Sequence, residues 1–152
     1  MKPVYTLVEA LAKDPGRVAK TQSLTLDSTR PYMGLKGSHG LFASAAWWKS
    51  IEAKRLPMQT LTGIIERTYF AGQDSRRGDQ VNSVILRLAD GSTVDESIYM
   101  NDKQDIKLFV PGAMVTMIYA LDELKAQPAA DGGVNVARIV LEVAISVRKD
   151  KE

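Results

Sequence analysis

Residues 136–148 read VARIVLEVAISVR, and their alternation constrains the chain more than any other stretch. Ile139, Leu141, Val143, Ile145 and Val147 fall on one side; Arg138, Glu142, Ser146 and Arg148 fall on the other. Successive side chains of an extended strand point to opposite faces, so this period of two specifies a strand with one covered face. A lone strand leaves its backbone groups unpaired, and a covered face needs something to cover it. The chain must therefore build a sheet and pack against it.

The same logic extends back to residue 58. LTGIIERTYFAGQ mixes β-branched and aromatic residues with Thr and charge, and GQDSRRGDQ follows as a loop. VNSVILRL is the next strand, with Asp90-Gly91 supplying the turn of a tight hairpin. TVDESIYM returns with Val94, Ile98 and Met100 on one face, and Glu96 among them marks a strand edge or a bulge. NDKQDIKLF breaks the alternation. Asn101 or Asp102 can cap a short helix there, Asp105 suits its dipole, and Pro111-Gly112 ends it. MVTMIYALDEL is apolar on both sides from Met114 to Leu121, as a central or strongly curved strand would be. Asp122-Glu123 then read as ending that strand, and PAADGGVN as a turn. The tail KDKE reads as solvated.

Residues 1–57 read differently. Thr6-Leu7-Val8-Glu9 has the form of a capping box, with Leu7, Val8, Leu11 and Ala12 on one stripe that Pro15-Gly16 stops. An extended segment is expected around Ser23–Asp27. WWKSIEAKRLP reads as a helix capped by Ser44 that ends before Pro57.

The expected fold is mainly β with an α extension. Residues 58–148 would form a five-stranded OB-like Greek-key barrel in the order β-β-β-α-β-β, and residues 1–57 an N-terminal helical segment packed on it. FVPGAMVTMIYAL resembles the glycine-led fourth strand of OB barrels, a resemblance by element order over about 95 residues. An SH3-like barrel is the alternative. The whole chain resembles small bacterial proteins to which no activity is assigned.

Composition narrows the functions. The chain has 152 residues, one domain's worth, and no cysteine, so disulfides, thiolate metal sites and thiol nucleophiles are excluded. His39 is the sole histidine, which removes multi-histidine zinc sites and histidine–carboxylate triads. No apolar run approaches a membrane span, and Glu9 with Lys13-Asp14-Pro15 spoils a cleavable signal. A cytoplasmic location is therefore expected. The net charge of +2 divides unevenly: residues 1–57 carry +5 and residues 58–152 carry −3. Attraction to a polyanion would come from the first third.

GLKGSHGLFASAAWW, residues 34–48, is the most unusual stretch, but it lacks the Gly-Lys-Ser/Thr of a P-loop and the βαβ setting of a dinucleotide fold. It reads as a turning loop that leads into a capped helix. His39 has no recognisable nucleophile or orienting acid. Trp47 and Trp48 would flank Ile51 and fasten the helix down, with an exposed indole as the sharper alternative. An OB resemblance implies a nucleic-acid face, where Tyr69, Phe70 and Tyr99 could stack and Arg67, Arg76, Arg77 and Arg87 could meet phosphates. Asp90, Asp95 and Glu96 on the same strands, and Asp74 and Asp79 beside the arginine pair, oppose that reading. Asp95 and Glu96 point to opposite faces and form no acid/base dyad.

These residues point to a non-enzymatic binding or adaptor module for a protein or small-molecule partner. The candidate contacts are His39, Trp48, Tyr69, Arg87 and Tyr99. Two alternatives are a single-stranded nucleic-acid binder and an enzyme using the glycine loop as an anion site. No cofactor, metal or membrane partner is expected, and the sequence singles out no self-association edge.

Overall fold

The computed structural model describes residues 1–72, 81–128 and 134–147. Strand β1 (Lys2–Thr6) leads into helices α1 (Leu7–Lys13), α2 (Pro15–Leu26) and α3 (Ala45–Glu52), and strands β2 (Met58–Tyr69), β3 (Ser83–Arg87), β4 (Thr93–Ser97), β5 (Met114–Pro128) and β6 (Val134–Ile145) follow. A 3₁₀ helix covers Lys103–Leu108. The protein is thus mainly β, with an antiparallel sheet in the order β1-β6-β5-β2-β3-β4. Arg76, Arg77, Asp74 and Asp79, the centre of the PAADGGVN turn, Arg148 and the tail lie outside the described residues. Among the described residues, no helix is long and apolar enough to cross a membrane.

Two expectations need correction. The sheet has six strands, not five, and its order ends at β1 and β4 with no pairing between them among the described residues. The extra strand is β1, which the Lys-Pro start conceals. Proline cannot donate to a ladder, but an edge strand tolerates it, and the register with β6 shifts between Pro3 and Tyr5. The second correction is α2, which replaces the extended segment expected at Ser23–Asp27. Pro15 sits in its first turn, where a missing N–H costs nothing. Thr21 and Thr25 donate their hydroxyls to the carbonyls of Arg17 and Thr21 one turn earlier.

Contacts divide the chain into two units, the first made of residues 1–6, 60–117 and 142 onward, the second of 7–59 and 118–141. In the first unit the buried side chains include Ile65, Leu86, Val115, Met117, Val143 and Ile145. Each removes enough apolar surface from water to favour folding by about 1.5–3 kcal/mol. The β3–β4 hairpin runs in register from Arg87↔Thr93 to Ser83↔Ser97. Its Asp90-Gly91 turn forms as expected, with Gly91 at φ 87° and Asp90 accepting from the Ser92 N–H and hydroxyl. Glu96 lies opposite Val84 without a bulge, so its misplaced charge marks the sheet edge. Asp102 caps the 3₁₀ helix by accepting from the Gln104 N–H at 2.9 Å. Asp105 is buried and accepts from Lys2 Nζ at 2.8 Å.

The second unit buries Leu7, Leu11, Leu35, Phe42, Trp47, Leu56, Tyr119 and the β6 run Ile139-Val140-Leu141. The α1 stripe is narrower than its sequence suggests: Leu7 and Leu11 are buried, but Val8 is exposed. Ser44 caps α3 as expected, accepting from the Trp47 N–H. The strand expected over VARIVLEVAISVR has Ile139, Leu141, Val143 and Ile145 buried, whereas Val147 lies beyond the pairing and is exposed.

Candidate functional site

The glycine stretch is built as a turning loop within the second unit. Gly34 adopts φ 91°, and a Cβ there would stand 2.7 Å from Leu24 Cγ. Gly40 adopts φ 100°, and a Cβ would stand 3.0 Å from the Trp47 nitrogen. Only glycine fits either position without strain. The loop's N–H groups turn inward: Gly40 donates to the Gly37 carbonyl and Ser44 to that of Leu41. Lys36 N–H donates to the Glu123 carbonyl, Lys125 N–H to that of Gly34, and the Ser38 hydroxyl to the Glu123 carboxylate.

Trp47 is the anchor. It is fully buried, meets Phe42 edge-on at 5.1 Å, and donates its indole N–H to Asp122 Oδ2 at 3.0 Å. Asp122 is correspondingly buried inside β5. It does not end the strand as its sequence position suggested, because β5 continues to Pro128. A carboxylate amid apolar residues and an indole seventy-five positions away are each visible in the sequence, but their pairing is not. Trp48 is half-buried and packs edge-on against Trp47 at 4.9 Å. His39 is also half-buried, its carbonyl accepting from the Ser50 hydroxyl at 3.1 Å.

The remaining candidates lie in the first unit and do not converge. Tyr69 donates its hydroxyl to Asp95 at 2.9 Å, with the Arg67 guanidinium 5.4 Å from its ring. The Asp95 hydrogen bond, then burial, pushes the Tyr69 phenol above its ordinary range. Arg87 donates to Glu66 at 3.3 Å, at the far end of the β2–β3 ladder from Tyr69. Tyr99 packs on Tyr5 at 5.3 Å. Of the groups that would read a nucleic acid, Tyr69 and Arg87 are thus engaged with carboxylates, Arg67 with the Tyr69 ring and Tyr99 with Tyr5.

Two concavities stand out among the described residues. An open cleft of about 570 Å³ in the first unit is lined by Lys107, Val110, Pro111, Gly112 and Ser146, among others. A groove of about 250 Å³ in the second unit is lined by Arg17, Leu24, Phe42, Leu124 and Ile139. Each has one ionisable side chain in its lining. Neither assembles the converging acids, bases and nucleophiles that bond-making chemistry uses. Among the described residues, no group of three or more His, Asp or Glu could hold a metal.

One family model, Immunity protein RhsI2, matches residues 1–146. The chain belongs to this family. No curated protein matches its sequence. The match spans both units, whereas the OB resemblance drew on element order from residue 58 onward. Membership of an immunity-protein family fits a binding role, and the partner it implies is a protein.

The sequence reading passed over Leu26, Tyr32, Met33 and Lys125, which prove to share one loop and its support. The only local signal is RPYM, which sets an arginine, an aromatic and a methionine beside a proline, residue types enriched in protein interfaces.

Proposed function

We propose that this chain neutralises a protein toxin by binding it, as a non-enzymatic inhibitor. The match of the immunity-protein family to residues 1–146 carries this reading. The concavities support it, since both are open and neither gathers a reactive set of side chains. Inhibition by occupancy asks only for a complementary surface and slow dissociation. A protector of the cell must hold its toxin at low concentration, so a dissociation constant of about 1 nM or below is expected. An interface burying about 1,600 Å² in total would be sufficient. The bacterial cytoplasm is the compartment in which we propose that it acts.

A protective protein is inherited with its toxin, so the natural probe is a toxin domain sought in the genes that neighbour this one. Cells expressing that domain should grow when the chain is co-expressed and stop growing when it is absent. The purified pair should form a stoichiometric complex by titration calorimetry. Protection without any measurable complex would refute inhibition by binding and favour removal or repair of the toxin's product.

A further inference from the structure

We propose that the toxin is gripped by the loop Leu26–Met33 together with the outer face of α2, and that the toxin presents an acidic rim around an apolar patch there. This inference rests on the toxin-binding reading and assigns its surface.

The loop displays large apolar side chains that the fold does not cover. Leu26 is 69% exposed, Tyr32 62% and Met33 51%. They are three of the ten large hydrophobics exposed among the described residues, gathered within eight positions. Helix α2 behaves similarly, because its twelve residues include none that is buried. Scattered exposed hydrophobics are ordinary, but a cluster of this kind marks a contact surface. Tyrosine, methionine and arginine are also the types enriched in interfaces.

Beneath those side chains the backbone is held fixed. Lys125 Nζ donates to the carbonyls of Leu24 at 2.6 Å, Arg30 at 3.1 Å and Asp27 at 3.2 Å. An ammonium has three protons, and all three are used on the end of α2 and the loop that follows it. Its own N–H donates to the Gly34 carbonyl at 2.9 Å, closing the far end. Asp27 accepts from the Thr29 N–H and hydroxyl, and Arg30 pairs with Asp27 at 3.5 Å. A loop ordered in advance loses little conformational freedom on docking, so more of the contact energy appears as affinity.

Charge selects the partner's rim. Residues 15–33 carry Arg17, Lys20 and Arg30 against the single acid Asp27. An acidic partner would be steered to this face and a basic one repelled. The rival surface is the cleft beside Lys107, which the exposed Val110 lines, with Met114 and Val147, also exposed, next in sequence to its lining residues Ala113 and Ser146. Among the described residues, its lining displays no aromatic ring.

The test is titration of the intact chain with the neighbouring toxin domain. Tyr32→Ala/Met33→Ala should weaken binding by about 100-fold or more, the size typical of hot-spot anchors. Arg30→Glu should slow association by about tenfold and flatten its salt dependence. Met114→Ala/Val147→Ala at the rival cleft should bind as the wild type does. Unchanged thermal melting will confirm that each variant is folded. Loss of affinity at the cleft pair with none at Tyr32 and Met33 would overturn the assignment and leave toxin binding intact. A wild type that fails to bind would overturn the toxin reading itself. Displacement of the toxin by a short single-stranded oligonucleotide at low salt would reassign the basic face to nucleic acid.

Discussion

The two units handle their surfaces in opposite ways. In the first, exposed polar groups find partners within the unit: Tyr69 with Asp95, Arg87 with Glu66, Lys2 with Asp105. In the second, a long side chain from β5 is turned against a loop's carbonyls, and the loop's own large side chains are left outward. Those polar pairs complete themselves, although Val110, Met114 and Val147 of the same unit stay exposed. The second fixes a backbone while leaving its apolar side chains for something else to cover, which is the geometry of a preformed interface.

The largest effect that would sharpen this contrast is at the anchor of the second unit. Trp47→Ala removes a fully buried indole and leaves Asp122 without its donor, so stability should fall by about 3–5 kcal/mol. Chemical denaturation would measure it, and a loss below about 1 kcal/mol would show that α3 is not fastened by that ring. Next is Gly34→Ala, which imposes a left-handed backbone on alanine and drives a methyl toward Leu24. Backbone strain of about 1–3 kcal/mol is expected both here and for Gly91→Ser, and Gly34→Ala should cost more because nothing lies within 4 Å of a Cβ at Gly91. Equal losses at the two positions would remove the special role given to the Leu24 contact.

Arg87→Ala in the first unit should change stability by no more than about 0.5 kcal/mol, since its pair with Glu66 is exposed. A larger loss would mean that the self-completed surface is a structural network.

The smallest effect concerns pH. The Thr29 hydroxyl and N–H, then the Arg30 and Lys125 cations, hold the Asp27 carboxyl below its ordinary range. A lowered folded value means that Asp27 stabilises the native state above the ordinary carboxylate value. That contribution is lost as pH falls from there through the lowered value. Melting of Asp27→Asn should therefore trail the wild type near neutrality and converge with it only in strong acid. A gap that widened on acidification would contradict the sign.

Local chemistry made much of the fold legible. Alternation over Val136–Ser146 required a strand, Asp90-Gly91 a hairpin, Ser44 a helix start, and Asp102 with Pro111-Gly112 a short turn of helix. Each of these signals acts within a few residues of itself. β1 stayed hidden because Pro3 masks a strand that its pairing with β6 creates. α2 stayed hidden because its threonines satisfy their hydroxyls on the preceding turn. The proposed interface was the least legible part. Its support comes from Lys125, roughly a hundred positions from the carbonyls it binds, and no spacing rule links them.

The most direct measurement is amide hydrogen exchange of the chain, free and saturated with its neighbouring toxin domain. Slowed exchange concentrated in residues 15–36, with 107–116 and 144–147 unchanged, is the predicted footprint. Slowing confined to those latter segments, with residues 15–36 exchanging as in the free protein, would contradict the account.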